Sequence, residues 1–241
     1  MKASPSDQRQ ILDVAAFDQK TTALNHSASI LPQINELVST TTKSHNARDL
    51  RIAAETELND VKRELLRAEA DVEQIVTRIT RDESRLSGGS ASPKELEQLQ
   101  HEVGSLNARR AELEEVELEI MMRMDSIKER ITTLEKEESE LAAQIADLEI
   151  KKENALTIIT SDIEKITQDR VQTAGSVDAA LLELYEKIRT GGGSGAAALK
   201  GGQCGGCNLS INAVELKRIL ELSEDEVVRC EECRCILVRG V

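Results

Sequence analysis

AETELNDVKRELLRAEADVEQIVTRITRDESRL, residues 54–86, holds neither proline nor glycine. Alternating steps of four and three residues through it land on Ala54, Leu58, Val61, Leu65, Ala68, Val72, Ile75, Ile79, Asp82 and Leu86, nine apolar positions of ten. Apolar residues at that spacing form a heptad seam, the stripe one helix offers to another. A second seam runs from Leu96 through Leu106, Ile120, Ile127, Leu134 and Leu141 to Leu148 and is apolar at thirteen of its sixteen positions. Gly88, Gly89 and Pro93 stand between the two; glycine releases the chain, Ser92 suits an N-cap and Pro93 a first helical turn. The pattern predicts an antiparallel coiled-coil hairpin with its tip near 87–93. Position i then faces roughly 180 − i, which lays residues 8–31 beside 149–172.

Outward from the seams, Pro32 removes a backbone donor and predicts a kink or break in the first arm. Gly175 ends the second arm, and DAALLELYEKIR, residues 178–189, reads as a short amphipathic base helix that packs with Phe17 through Tyr185. Composition agrees: one Phe, one Tyr, no Trp and 31% charged residues describe a long helical chain better than a globular core. Residues 1–190 are therefore assigned to the hairpin. Residues 191–203, GGGSGAAALKGGQ, read as a glycine-rich linker, with a short strand admissible at 196–199.

All five cysteines fall in residues 204–241. Two Cys-x-x-Cys pairs, Cys204 with Cys207 and Cys230 with Cys233, form the pattern of a C4 zinc ribbon, in which each knuckle presents two thiolates and two knuckles complete a tetrahedron. The 22 residues between the pairs exceed the usual spacing because NAVELKRILEL inserts an amphipathic helix, capped by Asn212, among short apolar strand segments. A module this small buries little, so one structural Zn²⁺ supplies much of its folding energy. The fold class expected is mainly α: a long hairpin followed by a small ribbon of short strands and one helix.

SPKELEQLQHEV, LLELYEKIR and above all CGGCNLSINAVELKRILELSEDEVVRCEECRCILVRG resemble the bacterial C4-type zinc-ribbon proteins that carry a long N-terminal coiled-coil hairpin, of the uncharacterised actinobacterial type. The resemblance implies Cys204, Cys207, Cys230 and Cys233 as the metal ligands; relatives have been linked to nucleic acid, to the sigma-54 factor and to flagellar assembly. The chain departs from that family after the fourth ligand, where Gly-Arg is usual and Arg234-Cys235 stands. An arginine forced to positive φ there carries about 1 kcal/mol of strain or more. Cys235 itself reads as a spare thiol, an alternative ligand or an oxidation site.

The net charge is −13, and residues 94–150 alone hold seven basic and sixteen acidic side chains. Residues 200–241 carry six basic against seven acidic side chains and no aromatic ring, which is no footprint for a polyphosphate. Clustering can still outweigh net charge. Lys217, Arg218, Arg229, Arg234 and Arg239 are candidates for one basic ribbon face, and Arg78, Arg81 and Arg85 for a second at the hairpin tip. His26, His45 and His101 are scattered, and no nucleophile triad or phosphate loop is present, so an enzyme is not expected. The opening residues lack a signal-peptide core and no long apolar run occurs, which places the chain in the cytoplasm with no membrane and no small-molecule substrate as partner. Two functions follow: an adaptor that binds RNA or DNA through its ribbon, the reading the resemblance favours, or an adaptor whose acidic hairpin and ribbon dock a transcription or assembly protein, the reading the charge favours.

Overall fold

The computed structural model describes residues 1–89 and 92–240. Its elements are α1 (Pro5–Ser29), α2 (Pro32–Ser87), α3 (Pro93–Ala174), α4 (Ala179–Thr190), β1 (Ala196–Lys200), β2 (Gln203–Cys204), α5 (Ala213–Glu221), β3 (Val228–Arg229) and β4 (Ile236–Val238). The chain divides into two compact units, one of Asn35–Glu149 and one of Met1–Ile34 with Ile150–Val241.

The first unit is a two-helix hairpin. α3 starts with a capping box: the Ser92 N–H donates to Glu95 Oε2 at 2.8 Å and the Glu95 N–H to Ser92 Oγ at 3.4 Å. The Ser92 N–H, together with the Ser92 hydroxyl that also donates to Glu95 Oε2 at 2.8 Å, holds the Glu95 carboxyl below its ordinary range. Of the turn expected at 87–93, Ser90 and Ala91 lie outside the described residues. Ala54, Val61 and Ala68 of α2 are buried with Ile120 and Ile127 of α3, and small residues in one helix opposite large ones in the other let the two approach closely. Ion pairs flank this seam, Arg51 with Glu138 at 2.7 Å, Arg123 with Glu64 at 2.7 Å, and Arg130 with Glu57.

The register corrects the expectation that i faces 180 − i. That rule fits Arg78 with Glu102 beside the tip, but Glu57 and Glu64 pair seven residues farther along α3 and Arg51 nine farther. A seam repeats every heptad, so the apolar pattern is equally well satisfied by registers seven residues apart. Asp82, the polar member of the α2 seam, is buried at 5% exposure with Oδ2 unpartnered among the described residues.

In the second unit, α1 ends at Ser29 and a new helix starts at Pro32, with the Ile30 N–H closing on His26 O at 3.2 Å. α1 runs beside the end of α3: Asp18 accepts two hydrogen bonds from Arg170, at 2.8 and 3.0 Å, and one from Tyr185 Oη at 2.7 Å. Arg170 also pairs with Glu186 of α4 at 2.5 Å. The core gathers Ile11, Val14 and Ala15 of α1, Leu181, Tyr185 and Ile188 of α4, and Ala196, Ile236 and Val238 of the sheet. Phe17, expected to pack at this base, stays half-buried outside that cluster, with Lys20 Nζ 5.8 Å from its ring centre.

The strands form one sheet in the order β2-β1-β4-β3, with β1 antiparallel to β2, parallel to β4, and β4 antiparallel to β3. Successive strand residues point to opposite faces. Ala196, Ile236 and Val238 therefore join the helices, while Ala197 and Leu237 join the cysteines, Ile219 and Val228 in a second core. The linker assigned to 191–203 is therefore shorter: the strand admitted at 196–199 is present as residues 196–200, a central strand buried where it meets β4. Of its three alanines, Ala196 packs with the residues of α1 and α4, and Ala197 lies on the cysteine side. Gly195, at φ +70, passes so near the Tyr185 ring that a Cβ there would lie 2.2 Å from it. The first residues belong to this unit too. The Val227 N–H donates to Met1 O at 3.0 Å and the Ala3 N–H to Asp225 O at 2.8 Å.

Candidate metal centre

The two cysteine pairs sit on matching turns. In the first, the Asn208 N–H donates to Cys204 O at 2.8 Å and the Cys204 N–H to Leu209 O at 3.0 Å; in the second, Arg234 N–H donates to Cys230 O and Cys230 N–H to Cys235 O, both at 3.0 Å. Each turn closes on a residue in the left-handed region, Asn208 at φ 59 and Arg234 at φ 60. Asparagine adopts that conformation at little cost, whereas arginine is strained there. Arg234 thus takes the conformation that glycine would hold more cheaply.

The Sγ atoms of Cys204, Cys207, Cys230 and Cys233 all lie within 4.8 Å of one another, the only such ligand cluster among the described residues. Cys204 and Cys233 are 3.7 Å apart and Cys207 and Cys230 3.9 Å. A zinc ion with Zn–S bonds of about 2.3 Å needs tetrahedral edges of about 3.8 Å, so the donor set fits zinc in number, softness and spacing. Four thiolates fill a structural site and hold one zinc. Around them, burial opposes ionisation of Cys204, but N–H groups of Cys207 and Gly206 facing its sulfur prevail and lower its thiol to about 7. Burial pushes Cys230 up to about 12. Those N–H groups are the outer contacts that orient metal-bound thiolates.

Cys235 is fully buried beside this centre, 3.5 Å from Cys204 Sγ and 3.4 Å from Cys233 Sγ. Gly206 makes room for it: a Cβ there would lie 3.2 Å from the Cys235 sulfur and 2.6 Å from Ser194 Oγ.

The basic residues are engaged to different degrees. Arg239 is the largest correction. Its guanidinium donates to four backbone carbonyls, Ile219 at 2.8 Å, Leu222 at 2.9 Å, Ser223 at 2.6 Å and Glu226 at 2.9 Å, closing the C-terminal end of α5. Arg218 is paired with Glu215 and exposed Lys217 lies 3.9 Å from Glu221. Arg229 donates from Nε to Arg234 O at 3.0 Å. Arg234 is exposed with no ion pair among the described residues. At the hairpin tip Arg78 is paired with Glu102, while Arg81 and Arg85 are exposed and Arg85 lies close enough to Glu95 to lower its carboxyl. Arg239's role had one faint signal, its place directly after the apolar triplet Ile236–Val238, where an arginine can turn back over the sheet.

No helix among the described residues is long and apolar enough to cross a membrane. Residues 14–193 match the CT398-like coiled coil hairpin domain, and residues 203–237 match the C4-type zinc ribbon domain. The uncharacterized protein Rv2229c of Mycobacterium tuberculosis is 35% identical over 243 residues, covering 99% of this chain and 98% of that protein. A solved structure from Mycobacterium smegmatis superposes with a TM-score of 0.86 at 29% identity, covering 99% of this chain and all of the other. CT398 from Chlamydia trachomatis shares the fold, with a TM-score of 0.68 at 19% identity and 98% of each chain covered. Hairpin, ribbon, ligand spacing and whole-length relatives coincide: the chain belongs to the CT398-like coiled-coil hairpin family that carries a C4-type zinc ribbon.

Proposed function

We propose that the chain is a zinc-stabilised, non-enzymatic adaptor that docks a protein partner. The observation that carries this reading is the fate of the ribbon arginines. Arg239 is spent on carbonyls and Arg218 on Glu215, which leaves fewer basic groups free on the ribbon, while Leu209, Val214 and Leu220 stand exposed on it at 51%, 80% and 64%. Exposed apolar side chains beside acidic ones suit a basic, amphipathic protein surface better than a polyphosphate. The strongly acidic second arm, residues 94–150, adds attraction for such a partner. Purification from nuclease-treated lysate tests it. A stoichiometric protein whose recovery falls when Leu209, Val214 and Leu220 become serine, at unchanged zinc content, supports the reading; no such protein retires it.

Nucleic acid is the second reading, favoured by exposed Arg81, Arg85 and Arg234. It requires anisotropy of labelled RNA or DNA to show binding that weakens by an order of magnitude or more between about 50 and about 200 mM salt. It also requires loss of that binding when the three arginines become alanine.

A further inference from the structure

Cys235 is left unexplained by a C4 centre, which needs four thiolates and has them. We propose that Cys235 is the resolving thiol of an oxidation site: a hydroperoxide oxidises Cys233, and Cys235 captures the product as a Cys233–Cys235 disulfide. Three observations carry this. The Cys235 sulfur is 3.4 Å from that of Cys233, within reach of a bond of about 2.05 Å after a small rotation. Cys233 is partly exposed whereas Cys204, the other neighbour at 3.5 Å, is fully buried, so of these two sulfurs Cys233 is the one a peroxide in solution reaches. Gly206 leaves open the space that the Cys235 sulfur occupies, since a Cβ there would lie 3.2 Å from it.

The chemistry balances in two steps. The Cys233 thiolate attacks one oxygen of ROOH; the S–O bond forms as the O–O bond breaks, the sulfur loses two electrons to the peroxide, and the alkoxide leaves as ROH after taking a proton from water. The Cys235 sulfur then attacks Cys233; the S–S bond forms, the S–O bond breaks, and hydroxide departs with the Cys235 proton as water. The outcome differs from oxidation within a four-cysteine ribbon. A disulfide between two ligands removes two thiolates from the donor set, whereas this one removes only Cys233 and leaves Cys204, Cys207 and Cys230 in place. Zinc is then held by three thiolates and lost more readily, and a dithiol reductant restores the fourth.

The test treats the zinc-loaded full chain with hydrogen peroxide, follows zinc release with a chromogenic chelator, and maps the products by mass spectrometry. The wild type is expected to give a species about 2 Da lighter with Cys233 linked to Cys235, and to recover full zinc content after reduction and zinc addition. Cys235→Ser and Cys235→Ala, each first shown to bind one zinc as the wild type does, should give at least about tenfold less of the 2-Da-lighter species. They should instead accumulate Cys233 sulfinic acid, about 32 Da heavier, which reduction does not reverse. A wild-type disulfide joining any other pair, or variants that form and reverse the disulfide as the wild type does, would overturn the proposal.

Discussion

Replacing Arg239 by alanine separates a structural arginine from a solvated one. Its guanidinium donates to four carbonyls at 2.6–2.9 Å, two of them, Ile219 and Leu222, at the end of α5. A hydrogen bond to a charged group contributes about 1.5–3 kcal/mol, but bonds sharing one donor group do not add, and water can reach part of the vacated site. A loss of about 3 kcal/mol is therefore expected. Tyr185, the only tyrosine, is buried in the same core as Ile236 and Val238 and reports on this unit by its fluorescence. In urea, with m near about 2 kcal/mol/M, the transition of the zinc-saturated chain should move down by about 1.5 M. Arg239→Lys keeps the charge but not the planar fork, and should recover less than half of the loss. An Arg239→Ala transition within about 0.5 kcal/mol of wild type, the range of ordinary surface changes, would refute the reasoning.

Further outcomes follow from the same geometry. Gly195→Ala puts a Cβ 2.2 Å from the Tyr185 ring at a φ of +70 and should destabilise the unit by about 2 kcal/mol or more, read by the same transition. Arg234→Gly relieves left-handed strain at φ 60 and, after the extra freedom glycine gives the unfolded chain, should raise stability by about 0.5 kcal/mol; a lowered urea midpoint would contradict it. Burial works against ionisation of Asp18 and Glu186, yet hydrogen bonds from Arg170 and Tyr185 to Asp18, and from Arg170 and Arg189 to Glu186, leave both carboxyls below their ordinary values. Their contribution is thus full above the unfolded values of about 4 and is lost as pH falls through the lower folded ones, so the Tyr185-reported midpoint should drop below about pH 4 and drop less in Asp18→Asn. Chelation of zinc should disorder the cysteine-side core while far-UV circular dichroism keeps most of its helical signal, because the Ala54, Val61 and Ile127 cluster contains no metal ligand.

The elements of the fold were legible where one strong pattern acts alone. Alternate spacing from Ala54 to Leu86 marks the seam, Pro32 breaks the first arm, Pro93 begins the second, and Asn212 caps α5 by accepting from the Val214 N–H at 2.9 Å. Four cysteines in two pairs define the metal centre because few other arrangements of thiolates are useful together. What stayed hidden depends on contacts far apart in sequence. Ala196–Lys200 carries only a weak strand signal, alanine beside glycine, and its central place in the sheet comes from pairing with Ile236, Leu237 and Val238. Met1 and Ala3 meet Val227 and Asp225 across the whole length of the chain. The hairpin register was ambiguous by a heptad for reasons internal to the repeat. Arg239 looks like any surface arginine until the carbonyls it closes are placed around it.

X-ray absorption at the zinc edge, on the full chain purified under reducing conditions with its metal content measured alongside, addresses the central claim most directly. One zinc per chain, with four sulfur neighbours at about 2.3 Å and no nitrogen or oxygen in the shell, is the expected result, and Cys204→Ser should replace one sulfur with a lighter ligand. A cysteine-side core that stays ordered without zinc, or a shell with fewer than four sulfurs in the wild type, would contradict it.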